Sequence, residues 1–271
     1  MKLSNNEKQR LKTKYGEWAI ITGASSGIGL ELATQLASAG FNLVINSRNL
    51  DKLQEVEQQL KTISTNIEIK TVAADVSEKE GIDKIIQSTQ GLNIGLLVVS
   101  AGYGTSGNFI NGSLPSEIDM LRVNCEALLS LTHHYSQQFV EQKRGGIILM
   151  SSMVAFQGTP YSANYAATKA YVQTLAEGLA VELEPFGVDV LAAAPGPVES
   201  GFSQRANMRM SMSLTPSQVG VPILKALGRK TTVLPGLLTK ILVYSLRTVP
   251  RWGKVRIMAK VMGGMTEHQR K

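Results

Sequence analysis

Short apolar runs alternate along the chain with longer stretches whose apolar residues recur every three or four positions, and this alternation predicts strands and helices in turn. Glu17 to Thr22 (EWAIIT) reads as a buried strand. A glycine-rich turn follows and opens into IGLELATQLASAG, a helical pattern that Gly40 stops. Phe41 to Ser47 (FNLVINS) is the next predicted strand, Leu50 to Thr62 a polar amphipathic helix, and Ile67 to Ala73 (IEIKTVA) a third strand ending at Asp75.

The second half repeats the theme. Strands are predicted at Gly95 to Ser100, Gly146 to Ser151, Val188 to Ala193 and, briefly, Thr231 to Leu234, with helices beginning near Ser116 and Asn164. Strands that are nearly continuous apolar runs are buried on both faces, so the expected fold class is α/β: one Rossmann-like doubly wound domain, a parallel sheet of about seven strands between two helical layers. Ligands of such sheets bind at the carboxyl ends of the strands. No linker or repeat divides the chain. The expected organisation is a polar leader over 1–15, the α/β domain over 16–235 with a substrate lid at about 200–222, and a basic amphipathic extension over 236–271.

Composition narrows this picture. Of 271 residues 43% are hydrophobic, enough for a core, and only 6% are aromatic, which suits helix-on-sheet packing. Cys125 is the single cysteine, so no intrachain disulfide or cysteine-based metal site can form, and a reducing cytoplasmic setting is expected. The polar start lacks the apolar run of a signal peptide, and no stretch reaches the roughly 18 apolar residues of a membrane span. The net charge of +7 is local: residues 225 to 271 carry eleven Lys or Arg against Glu267 alone. That excess suits a solvated or subunit-facing surface, or attraction to an anionic membrane or acidic ligand; nucleic acid is not the expected partner.

The segment TGASSGIG, Thr22 to Gly29, lies between a predicted strand and a predicted helix. There Gly23, Gly27 and Gly29 permit a tight turn and close approach of a pyrophosphate to the helix start, with Ser25, Ser26 and Ile28 adding contacts. After the second strand, where NAD enzymes place a carboxylate on the ribose, the chain has Asn46, Ser47, Arg48 and Asn49. A guanidinium there can pair with a 2′-phosphate, so NADP(H) is expected in preference to NAD(H). Asp75 can accept a hydrogen bond from the adenine amino group while Val76 packs on the ring; alternatively Asp75 caps the next helix.

Tyr165 and Lys169 stand four apart in a small-residue helical pattern and so share a face. An ammonium beside a phenol favours the phenolate, so Lys169 is expected to draw the tyrosine toward working range. Hydride transfer to a ketone builds negative charge on oxygen, which calls for a donor and then a proton. Ser152 can polarise and Tyr165 can protonate. His133 and His134 are adjacent and diverge, Cys125 has no base beside it, and no metal is expected.

Taken together these motifs resemble the short-chain dehydrogenase/reductase family over about residues 16–235: TGASSGIG matches its TGxxxGxG, AADVS its adenine-site acid, Asn124 its helix asparagine, Ser152 its serine, and Tyr165-Ala-Ala-Thr-Lys169 its YxxxK. The resemblance implies that Lys169 also binds the nicotinamide ribose and that Asn124 holds a water in a proton relay. It further implies that AAAPGPVES lines the nicotinamide through Pro195, Gly196 and the backbone of Val198. Two departures stand out. Where the family shows Asn-Asn-Ala-Gly, this chain has Val99-Ser100-Ala101-Gly102, so Ser100, Ala101 and Gly102 meet the cofactor with fewer hydrogen bonds and the loop loses rigidity. Ser200 replaces the usual threonine after Glu199.

Residues 201 to 215 form the expected lid, followed by a helix with Thr215 as N-cap and Pro216 at its first position. Phe202, Met208, Met210 and Met212 either make the lid receptive to a hydrophobic substrate or pack it down. In the extension, Trp252, Val255, Met258 and Met262 share a helical face away from Arg251, Lys254 and Lys260, so residues 236–262 can lie on an anionic bilayer, cover a lipid-like substrate's entrance or meet a subunit. The expected activity is NADP(H)-dependent interconversion of a carbonyl and a secondary alcohol, in a homodimer or homotetramer. A cofactor-binding sensor or a membrane-surface scaffold with the same fold is the alternative.

Overall fold

A computed structural model describes residues 1–210 and 212–269; Ser211 of the expected lid, and Arg270 and Lys271 of the expected extension, lie outside the described residues. In chain order the elements are α1 (Asn5–Tyr15), β1 (Trp18–Thr22), α2 (Gly27–Ser38), β2 (Asn42–Ser47), α3 (Leu50–Ile63), β3 (Ile69–Ala73), α4 (Lys79–Ser88) and β4 (Ile94–Val99). They continue with α5 (Leu114–Leu121), α6 (Ala127–Gln142), β5 (Gly145–Met150), α7 (Ala163–Leu183), β6 (Val188–Ala193), α8 (Phe202–Arg205), α9 (Pro216–Ala226), β7 (Thr232–Val233), α10 (Leu237–Arg247) and α11 (Arg251–Met265).

The seven strands form one parallel sheet in the order β3-β2-β1-β4-β5-β6-β7. β1 and β4 are buried along their whole length, as strands covered on both faces must be. On one face Leu32 and Leu36 of α2, Leu53 of α3 and Val219 of α9 pack on the sheet; on the other, Ile85 of α4, Leu128 of α6 and Val172 of α7 do. The chain reverses direction across the sheet between β1 and β4, and a crevice opens there at the carboxyl ends.

The predicted strands all form, within a residue or two of their expected ends. The sequence reading names α4 only as the helix after Asp75, without bounds, since its apolar residues Ile82, Ile85 and Ile86 are sparse. The leader also differs from expectation: residues 5–15 form α1, with Leu11 and Tyr15 fully buried and Ser4 capping its start. Its polar composition conceals a seam of only two large apolar residues. Thr215 and Pro216 open α9 as expected, with the Gln218 side chain accepting from the Thr215 N–H at 2.9 Å.

Candidate active site

The glycine turn lies between the carboxyl end of β1 and the start of α2. Gly23 and Gly27 adopt φ of 66° and 58°, conformations that glycine tolerates without cost to a side chain. A Cβ on Gly23 would stand 2.8 Å from the Ala101 backbone, one on Gly27 2.6 Å from Ser200 Cβ, and one on Gly29 would run into the Gly23 carbonyl. What remains is a cradle lined by backbone at a helix N-terminus whose N-cap, Ser26, makes no side-chain cap bond. Ser25 and Ile28 flank it, half-buried. Uncapped N–H groups at a helix start, on a turn packed too closely for any side chain at its three glycines, suit a pyrophosphate, so the residues present fit a dinucleotide.

Around the cradle, Asn46 is turned inward. Its amide donates to the carbonyls of Val72 at 2.9 Å and Ala74 at 3.1 Å, tying β2 to the loop after β3. Arg48 points outward, 3.7 Å from the Asp75 carboxylate, both partly exposed. The other Asp75 oxygen accepts from the Ser77 N–H and hydroxyl, an Asx turn, while Glu78 occupies the N-cap of α4; Asp75 does not cap that helix. Val76 is buried.

The loop after β4 is better held than the loss of two asparagines suggested. The buried Thr22 hydroxyl accepts from the N–H groups of both Ser100 and Ala101, each at 3.1 Å. Further on, Asn124 takes over: its side chain accepts from the Tyr103 N–H at 3.1 Å and donates to the Tyr103 carbonyl at 2.8 Å and to Thr168 Oγ1 at 3.0 Å. Asn124 sits in a π-helical turn, Arg122–Glu126, between α5 and α6. Such turns widen the backbone locally and recur at functional sites. Both amide hydrogens go to protein acceptors, so the side chain positions the loop against α7. Thr22, Tyr103 and Thr168 were not singled out from sequence; a buried threonine at a strand end was the available signal for the first.

Ser152, Tyr165 and Lys169 converge beside this loop. Ser152 follows β5, is 8% exposed and caps a short turn over Met153–Phe156. Tyr165 and Lys169 rise one turn apart on α7, with the Lys169 nitrogen 5.8 Å from the centre of the Tyr165 ring. A Cβ on Gly102 would come within 3.0 Å of Asn124 Oδ1 and 3.4 Å of Lys169 Nζ, which places lysine, asparagine and loop in one cluster. Burial pushes the Tyr165 phenol up to about 12, against a hydrogen bond with Ser152 that works the other way. Burial also pulls Lys169 down to about 8, and its ammonium donates to the Met150 carbonyl at 2.8 Å. Burial rather than the lysine therefore sets the direction for the tyrosine, and Lys169 is aimed at Met150.

The loop after β6 closes the far side. Pro195 accepts from the Met153 N–H at 2.9 Å, fixing it to the turn that carries Ser152. Val198 bridges to Leu214, with Leu214 bonded to Pro197 O and Glu199 N; this turns the Val198 N–H to the opposite side. A Cβ on Gly196 would come 2.7 Å from Thr239 Oγ1 of α10. In the lid, the Phe202 ring lies 5.2 Å from that of Tyr165, and Met208 packs with Met258 and Met262 of α11, with Met210 partly buried against them; Met212 is 66% exposed. Met208 and Met210 thus pack the lid down, one of the two readings of these residues. A cavity of about 500 Å³ beside Gly104 is lined by Tyr103, Ser116, Asp119 and Arg205, the last stacked 4.0 Å over the Tyr103 ring.

Among the described residues no three His, Cys, Asp or Glu side chains gather as a metal site. His134 engages Gln138 and the edge of Tyr135. Burial raises the Cys125 thiol, the reverse of what a nucleophile needs.

A doubly wound parallel sheet with a phosphate cradle at its switch point and a serine, a tyrosine and a lysine beside it defines a class, the dinucleotide-dependent oxidoreductases. The chain belongs to the short-chain dehydrogenase/reductase family: the short chain dehydrogenase model matches residues 17–211. A 7beta-hydroxysteroid dehydrogenase of Mediterraneibacter gnavus is 31% identical over 235 residues, covering 83% of this chain and 88% of that protein. A very-long-chain 3-oxoacyl-CoA reductase of Coccidioides immitis is 32% identical over 241 residues, 88% of this chain and 66% of the relative. Among solved structures, a 7beta-hydroxysteroid dehydrogenase superposes with TM-score 0.85 at 28% identity, covering 92% of this chain and 99% of that one. A short-chain dehydrogenase from Sphingobium yanoikuyae in complex with NADPH gives 0.79 at 27%, covering 85% and 92%. The chain is an oxidoreductase acting on CH–OH and C=O groups with a nicotinamide cofactor.

Proposed function

We propose that the protein is an NADP(H)-dependent reductase or dehydrogenase that interconverts a hydrophobic ketone and its secondary alcohol. The convergence of Ser152, Tyr165, Lys169 and Asn124 around the loop at Gly102 carries this reading. The cradle of Gly23, Ser25, Ser26, Gly27, Ile28 and Gly29 would hold the pyrophosphate, Arg48 the 2′-phosphate, Asp75 and Val76 the adenine. Ser100, Ala101 and Gly102, with Pro195, Gly196 and Val198, would line the nicotinamide side. The bound nicotinamide supplies or accepts the hydride. Ser152 donates to the substrate oxygen as negative charge builds there. Tyr165, kept neutral by burial, holds the proton an alkoxide takes; the alkoxide is a far stronger base than a phenolate, so transfer runs downhill in reduction. Lys169 sustains the resulting phenolate by turning from Met150 O, and Asn124 fixes Thr168 and the loop so that these groups stay aligned.

Support for NADP(H) comes from the outward Arg48 and from the lack of an acid after β2; support for a hydrophobic substrate comes from Phe202 against Tyr165 and from the steroid and acyl names of the relatives. Residues 16–235 form the catalytic unit in this reading, with 236–271 as an extension closed over its lid, in the cytoplasm. Self-association is supported by exposed Ile118, Leu121, Leu129 and Tyr171, which flank a groove of about 440 Å³ across α5, α6 and α7.

The test is NADPH oxidation across a panel of ketones with Tyr165→Phe as control. Loss of the acid should lower kcat by about 10²–10⁴-fold; equal rates in both proteins would refute the mechanism. Replacing Arg48 by Ala should raise KM for NADPH about 10–100-fold, as expected for a charge-assisted phosphate contact, and leave NADH turnover alone. An unaltered cofactor preference would remove Arg48 from the phosphate site.

A further inference from the structure

The C-terminal helices present an inverted surface. On α10 the side chains turned inward include Thr239 and Val243, while Leu237 is 75% exposed, Ile241 54% and Tyr244 52%. Those three recur at i, i+4 and i+7, one outward stripe. On α11 Trp252 is 65% exposed, Ile257 and Val261 are exposed on the other side of the helix, and Met258 and Met262 hold the lid. The face predicted for Trp252, Val255, Met258 and Met262 is thus divided, with Met258 and Met262 packed on the lid and Trp252 exposed. The two helices and the turn between them carry Lys240, Arg247, Arg251, Lys254, Arg256 and Lys260, and no acidic residue occurs in the chain between Glu199 and Glu267. Arg247 sits 4.7 Å over the Tyr244 ring and Arg256 5.2 Å over Trp252, so aromatic groups and cations share one level of the surface.

We propose that α10 and α11 are a monotopic docking element that seats the enzyme on an anionic lipid bilayer, with Leu237, Ile241 and Trp252 entering the interface and the ring of cations meeting headgroups. Apolar side chains, aromatic rings and cations in that arrangement are the makings of an interfacial helix. Charge selects this occupant over a second copy of the chain. A two-fold contact would set the patch against itself and bring six cations onto six, whereas the other apolar groove, across α5 to α7, has both Arg122 and Glu126 at its edge and suits a copy. No described helix is long and apolar enough to cross a membrane, so the contact is peripheral.

The experiment sediments the full-length protein with phosphatidylcholine vesicles, with or without phosphatidylserine. Binding should be at least about tenfold stronger with phosphatidylserine and fall with added salt. Leu237→Ser with Ile241→Ser should reduce it about tenfold, and Lys240→Glu with Arg247→Glu should abolish the preference for phosphatidylserine. Circular dichroism and turnover of a water-soluble ketone should be unchanged in all variants, since these side chains are exposed and outside the site. Equal binding to both vesicle types, or serine variants that bind like the parent, would overturn the proposal. So would absence of vesicle binding together with a change in sedimentation mass in the serine pair, which would give the surface to a second copy or another protein.

Discussion

The two ends of the chain carry helices of opposite kinds. By sequence α1 is strongly polar and α10 is rich in leucine, yet α1 is the one fastened to the core. It inserts Leu11 and Tyr15, and the Tyr15 hydroxyl donates to Asp189 at 2.7 Å. Arg10 reaches the carbonyls of Leu224 and Leu227 at the end of α9, and Lys12 that of Gly40 just beyond α2. Cations at helix ends meet the negative pole of the helix, so Arg10 and Lys12 find partners of the right sign, as Glu7 does in Arg229 and Lys14 in Asp189. By contrast α10 leaves Leu237, Leu238, Ile241, Leu242 and Tyr244 exposed. Mean hydropathy misjudges both, because docking follows whether each group finds a partner, not how many groups are apolar.

The largest break in this contrast should come from Leu11→Ala, which leaves a cavity under α1 and should cost about 2–5 kcal/mol in urea unfolding; a loss under about 1 kcal/mol would show that α1 merely lies on the surface. A second effect belongs to the site between the two ends. Lys169 has its pKa lowered to about 8, so below pH 8 both folded and unfolded chains carry the proton and the burial penalty stands in full. Between about 8 and the ordinary 10.5 only the unfolded chain keeps it, so stability should rise with pH through that window. Lys169→Met should flatten the rise, as read from thermal midpoints at stepped pH. Tyr165, raised to about 12, works oppositely above pH 10, where stability should fall. Smaller again is Tyr15→Phe: losing the bond to Asp189 should cost about 1 kcal/mol, with Lys14 still paired to that carboxylate at 2.6 Å. Smallest is Leu237→Ser with Ile241→Ser, within about 0.5 kcal/mol per site, since exposed side chains contribute little. A larger loss there would mean that α10 is covered in solution.

The strands, the glycine turn and the Tyr165–Lys169 pair were legible because each follows from local pattern: a period, a glycine where φ is positive, a spacing of four. What was not legible depends on distant partners. Tyr15 looks like any tyrosine in a polar leader until Asp189, 174 residues away, arrives beside it. The Ser100 loop looked loosened because its missing asparagines could be counted and the Thr22 hydroxyl that replaces them could not be placed. Lys169 was assigned its electrostatic effect from adjacency alone, and only the depth of burial shows desolvation to be larger. The face of Trp252, Val255, Met258 and Met262 shows a related limit: a helical period names a face, not what it meets, and here Met258 and Met262 pack on the lid while Trp252 is exposed.

The Thr22 hydroxyl has a mechanical consequence. It stands at the root of the crevice, on β1, and grips two successive N–H groups of the chain leaving β4. Both lone pairs of one oxygen are thereby used, and the gap between the two strands is set to the tolerance of a hydrogen bond. A ligand seated at the floor of the crevice therefore meets a junction whose spacing one buried side chain holds.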